Sequence, residues 1–94
     1  MVLERAEMII KDGMADAFAA AMKAQGTALL AAHKGCHSVE VGRGVENPNK
    51  FILLLQWDSV DAHVAAAQTP GHAEFRELIG PFAAGGSMEH FDFA

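Results

Sequence analysis

Asn47-Pro48-Asn49-Lys50, then Phe51-Ile52-Leu53-Leu54-Leu55-Gln56-Trp57, then Asp58-Ser59-Val60-Asp61-Ala62-His63 is the stretch from which the architecture follows. A polar turn feeds an apolar strand that ends in the chain's single Trp, and a helix start follows within two residues. Side chains alternate along a strand, so Phe51, Leu53, Leu55 and Trp57 share one face while Ile52, Leu54 and Gln56 share the other. An apolar run of this kind suits a strand covered on both sides. In so short a chain, one side is expected to pack on the protein's own helices and the other on the sheet of a second copy.

Working outward, Val2 to Ile10 reads as a first strand, ended by the turn-type cluster Lys11-Asp12-Gly13. Asp12 is placed to cap the helix that follows, which should run from about Met14 to His33. Phe18, Met22, Gln25 and Leu29 lie three or four residues apart and are expected to form its buried face. Gly26 costs roughly 1 kcal/mol there relative to Ala, so a kink or close contact is expected. Gly35 is placed for the C-cap, with His33 and Lys34 near the negative end of the helix dipole.

His37 to Arg43 reads as a second strand, Gly44 to Asn49 as a hairpin-like connection and Phe51 to Trp57 as the third strand. Asp58 or Ser59 caps a short helix through about Gln68. Thr69-Pro70-Gly71 should break it, His72 to Ile79 forms another, and Gly80-Pro81 ends that. Ala83-Ala84-Gly85-Gly86 reads as a loop, and Ser87 to Phe93 as a fourth strand. The order β-α-β-β-(α-α)-β is the split βαβ arrangement of an α+β, ferredoxin-like fold, a four-stranded antiparallel sheet with helices on one face. A single domain over residues 1–94 is expected, paired with its twin as a dimeric α/β barrel.

Composition agrees with this and excludes much else. The chain has 94 residues, 51% of them hydrophobic and 18 of them Ala, whereas domains this small bury only about 60–65% of their unfolded surface. Such apolar content fits an oligomer better than a monomer whose surface is fully wet. The formal net charge is -5 and no basic cluster occurs, which argues against nucleic acid or an anionic membrane as a partner. Cys36 is the only cysteine, so no internal disulfide forms and a reduced, cytoplasmic setting is expected. The first residues lack the basic start and apolar core of a signal peptide, and no run approaches a membrane span.

At this point the chain resembles the antibiotic biosynthesis monooxygenase superfamily of dimeric α/β-barrel proteins. The matching residues are Gly35-Cys36 at the second strand, Val45-Glu46-Asn47-Pro48-Asn49-Lys50-Phe51, Gln56-Trp57-Asp58-Ser59 and Thr69-Pro70, and the likeness runs to Glu89-His90-Phe91. Families of this fold include cofactor-independent quinol and polyketide monooxygenases, haem-degrading oxygenases and isomerases. The haem-degrading members' Asn, Trp and His fall on or near Ala6, Ala66 and Arg76, so their site is missing. The polyketide-type Asn falls on Leu53 and the pocket Tyr on His63, with Trp57 kept; the chain contains no Tyr. Of the quinol-type pair of His, one falls on Ala66, and Pro70 is followed by Gly71 before His72. His63 together with Glu89-His90-Phe91 looks like another branch.

The resemblance implies a small-molecule aromatic substrate, O2 as co-substrate, and no cofactor or metal. His63 is the candidate base, since a partly buried imidazole stays neutral near pH 7 and can take a phenolic proton; Trp57 is the candidate for orienting the substrate oxygen, and His90 for joining the same pocket. Each has a plain alternative: a core anchor for Trp57, a half-exposed helical histidine for His63, a sheet-edge residue for His90. Phe18, Met22, Leu53, Leu55 and Phe75 are expected to line an apolar substrate pocket, and equally suit a core. His37 and His72 are weaker candidates, no His-x-His or His-x3-His pair suggests a metal, and Cys36 reads as a buried thiol. Three readings stay open: a cofactor-free monooxygenase on a hydroquinone- or anthrone-like substrate, a proton-shuttling isomerase on a small enol or lactone, and a non-catalytic binding or dimerisation module.

Overall fold

The structure is a computed structural model, and it describes residues 1–93. Strand β1 (Val2–Ile10) leads to helix α1 (Ala15–Ala21), a π-helical turn (Met22–Gly26) and helix α2 (Thr27–Ala31). Strands β2 (Cys36–Arg43) and β3 (Lys50–Trp57) follow, then helices α3 (Val60–Ala66) and α4 (Pro70–Ile79), and strand β4 (Ala83–Asp92). The sheet order is β2-β3-β1-β4 with every pairing antiparallel, which is the expected α+β ferredoxin-like arrangement.

Register places the two faces. Val2 lies opposite Trp57, Glu4 opposite Leu55, Ala6 opposite Leu53 and Met8 opposite Phe51, so the even residues of β1 and the odd residues of β3 point together toward the helices. On that side Phe51, Leu53, Leu55, Trp57, Met8 and Ile10 join Phe18, Met22, Leu30 and Phe75 in one buried cluster. Phe18 packs edge-on against Phe51 with ring centroids 4.7 Å apart, a favourable aromatic geometry. On the opposite side Leu3, Ile9, Ile52, Leu54 and Gln56 stay half-buried and Phe91 is exposed. Arg5–Glu89 and Lys50–Glu7 ion pairs lie among them.

Four local expectations need correction. The first helix is not continuous: a π-helical turn shifts its face, so Phe18, Met22, Gly26 and Leu30 are buried while Gln25 is exposed and Leu29 only half-buried. Gly26 is indeed a close contact, since a Cβ there would lie 2.5 Å from Met22 Sδ. Asp12 does not cap α1; the N-cap is Met14 without a side-chain bond, and Asp12 accepts from Asn49 Nδ2 instead. Helix α4 starts at Pro70, not His72, because Thr69 Oγ1 accepts from the His72 amide and Pro suits the first helical position. Finally, Ala83 to Gly86 is strand and not loop: Gly85 and Gly86 pair with Ile9 and Met8, and cross-strand bonding outweighs the weak strand propensity of Gly.

Other punctuation works as read. Ser59 caps α3 through the Ala62 amide, and Gly35 turns the chain into β2 at φ +86°, a conformation that L side chains rarely adopt.

Candidate functional site

Three elements converge at the Trp57 end of the sheet. β3 delivers Trp57 to the helix side, α3 begins three residues later and lays His63 over it, and β4 brings His90 beside β1 opposite Glu4. The His63 ring stacks on the indole at 4.7 Å between centroids and 16° between planes. His33, two residues beyond α2, stacks on the same indole at 6.1 Å, and His72 of α4 lies 6.3 Å from His33.

The hub of this cluster is Glu4, a residue that motif reasoning missed. It is 7% exposed, the one buried charged residue among those described. A buried carboxylate is retained only where donors meet it. Here Trp57 Nε1–H donates to Oε1 at 2.9 Å, and His63 Nε2 stands 3.3 Å from the same oxygen. His63 Nδ1 is 2.7 Å from His90 Nε2. Burial pushes the His63 pKa below 6.5, with Glu4 opposing the shift and His90, His72 and His33 adding to it. A neutral imidazole has one donor and one acceptor nitrogen. With the Nε2–H on the side of Glu4 Oε1, 3.3 Å away, Nδ1 accepts from His90 Nε2–H. Burial, then the neighbouring His72, also lowers the His33 pKa. The His33 Nε2 atom is buried without a partner among the described residues.

An open-sided pocket of about 360 Å³ lies between the sheet and helices α2 and α4. Glu4 forms part of its wall, together with Ala6, Met8, Leu30, Leu53, Leu55, Phe75, Ile79 and the Gly85–Met88 stretch of β4. Of the candidate lining residues, Leu53, Leu55 and Phe75 reach this pocket. Met22 instead borders a different cleft beside Lys23 and Arg43, and Phe18 is fully buried in the core. His63 touches both Trp57 and His90, Trp57 and His63 lie against Glu4, and none of the three forms the pocket wall. The Trp57 N–H is engaged by Glu4.

His37 pairs with Asp58 across the β2–β3 end, and burial raises the pKa of the free thiol Cys36. No group of three or more His, Cys, Asp or Glu among the described residues is arranged to hold a metal ion. Among them no helix is long and apolar enough to cross a membrane.

The family model described as antibiotic biosynthesis monooxygenase matches residues 1–78. The chain belongs to that family. Within the antibiotic biosynthesis monooxygenase family, a provisionally named member from Bordetella bronchiseptica has a similar structure, with TM-score 0.90 and 29% identity over 99% of this chain and 96% of its own. Similarly named structures from Nitrosomonas europaea (TM-score 0.83, 14% identity, 99% and 98% covered) and Deinococcus radiodurans (0.82, 15%, 100% and 93%) share the fold. No curated protein matches the chain.

Glu4 left one signal in the sequence. In Val2-Leu3-Glu4-Arg5-Ala6-Glu7-Met8-Ile9-Ile10 it has the parity of Met8 and Ile10, the face that must be dry if those residues are core. His33 left none beyond lying three residues after Leu30.

Proposed function

We propose that the protein is a cofactor-independent monooxygenase that oxidises a small hydroquinone- or anthrone-like aromatic in the pocket between sheet and helices. One observation carries this reading: a carboxylate, Glu4, set in an apolar wall and clamped by Trp57 and by a His63–His90 pair. Family membership supports the reaction class. The pocket's 360 Å³ is near the lower end of the roughly 300–1,000 Å³ typical of ligand sites, which favours a substrate of one to three rings.

The chemistry uses the substrate as its own reductant. An electron-rich phenol or enol loses its hydroxyl proton to the Glu4–His63–His90 unit, and the delocalised carbanion bonds to O2 through carbon. The resulting hydroperoxide loses water as the carbonyl forms. One oxygen atom stays in the product and the other leaves as water, with all four electrons drawn from the substrate, so no flavin or metal is required. Leu53, Leu55 and Phe75 hold the flat ring, Trp57 fixes the carboxylate, and Phe18 and Met22 support the sheet and helix from within the core.

The assembled form in this reading is a homodimer in which a second copy covers Leu3, Ile52, Leu54 and Phe91. The favoured test follows oxygen consumption with α-naphthol, naphthohydroquinone and anthrone, with isotope-labelled O2 tracing the product. Uptake with one labelled oxygen per product is the expected result. Turnover that continues under anaerobic conditions sinks it. Solvent deuterium entering an enol lactone without oxygen uptake favours the isomerase, which the same acid–base unit suits.

A further inference from the structure

The polar atoms at the cluster are nearly all spoken for. His63 has one ring nitrogen 3.3 Å from Glu4 Oε1 and the other hydrogen-bonded to His90, and the Trp57 N–H is bonded to Glu4. Both contacts to Glu4 fall on Oε1; Oε2 receives no hydrogen bond among the described residues. Of the four side chains only Glu4 borders the pocket. Glu7 also borders it, but by strand parity its side chain lies on the other sheet face, where it pairs with Lys50 at 3.7 Å. No Lys or Arg lines the pocket.

Resting on the reading of this pocket as a substrate site, we propose that Glu4 Oε2 is the atom that meets the substrate. It acts as the general base and restricts the site to neutral or cationic aromatics that offer a hydroxyl or ammonium donor. The substrate O–H bond breaks as Oε2–H forms; carbon then bonds to O2, and Oε2–H returns its proton to the outer oxygen of the peroxide adduct. As the O–O bond breaks and the carbonyl forms, the hydrogen of the oxygenated carbon is lost to Oε2 and passed to the departing hydroxide, which leaves as water. His63 and His90 are positioning residues that hold the carboxylate's other oxygen. A carboxylated aromatic is refused because its negative charge would face Glu4 in a low-dielectric wall with no cation to offset it.

Three binding probes and one variant test this by titration calorimetry: β-naphthol, β-naphthoate, β-naphthylmethylammonium, and Glu4→Gln checked for folding by circular dichroism. The wild-type protein should bind naphthol and the ammonium probe at least about tenfold tighter than naphthoate. Glu4→Gln should bring naphthoate to within about threefold of naphthol, because the repulsion is gone and the amide N–H donates. On whichever aromatic is oxidised, Glu4→Gln should lower kcat by about 10²–10⁴ with little change in KM. Wild-type binding of naphthoate as tight as naphthol overturns the proposal without need of any variant. So does turnover by Glu4→Gln within about threefold of wild type, a result that would leave the monooxygenase reading standing. A selectivity switch without oxygen uptake on any probe supports the Glu4 site and removes the monooxygenase reading.

Discussion

Trp57→Phe separates the indole's role as a clamp from its role as filler. The substitution keeps an aromatic ring to stack with His63 but deletes the N–H that reaches Glu4 Oε1 at 2.9 Å. A hydrogen bond to a charged acceptor contributes about 1.5–3 kcal/mol, and Trp57 is only 1% exposed, so water does not replace the donor. The smaller ring leaves a void that adds about 1 kcal/mol. The variant should therefore lose about 2.5–4 kcal/mol of stability. A double-mutant cycle with Glu4→Leu isolates the bond from the void, and the coupling should be about 1.5–3 kcal/mol, with the double variant less destabilised than the sum. Urea unfolding followed by far-ultraviolet circular dichroism measures all four proteins. A coupling below about 0.5 kcal/mol, the usual scatter between independent sites, would refute the clamp.

Acid should weaken the fold in a defined window. The folded state holds His63 and His33 neutral below 6.5, while the unfolded chain takes up protons near that value, so stability is full above 6.5 and falls on acidification by at most about 1.4 kcal/mol per pH unit for each ring. Urea midpoints at neutral and mildly acidic pH should show the fall, and His63→Gln with His33→Gln should flatten it; an unchanged slope rejects the assignment. Gly35→Ala combines φ +86° with a Cβ 2.9 Å from the Ala62 Cβ and should cost about 2–4 kcal/mol. Gly13→Ala, at φ +77° in open space, should cost only about 1–2 kcal/mol; equal losses in thermal melts would show that the Ala62 contact is immaterial. Leu54→Asp should convert a dimer to a monomer in sedimentation velocity, whereas a wild-type protein that already sediments as a monomer removes the proposed partner.

The strands were the legible part of the chain. The alternation in Phe51 to Trp57 and the turn residues around it forecast which β3 side chains face the helices, and Ser59 was one of two residues read as the start of α3. What stayed hidden depended on partners distant in sequence. Gly85-Gly86 looks like a loop until β1 supplies its hydrogen bonds. The π-helical turn moves burial from Gln25 and Leu29 to Gly26 and Leu30 through packing that no helical repeat encodes. At the cluster, Trp57, His63 and His90 lie together but outside the pocket wall, and the carboxylate beside them was read as one more strand residue. Glu4 gains its meaning only when register brings it opposite Leu55 and His90.

One consequence concerns light. Trp57 is the chain's only indole and there is no tyrosine, so near-ultraviolet excitation above the phenylalanine band addresses a single chromophore, the one stacked on His63 and bonded to Glu4. A protonated imidazole quenches an excited indole far more strongly than a neutral one. The emission of the unmodified protein is thus a native meter of the charge on the imidazoles stacked against it, His63 and His33, readable without label or substrate.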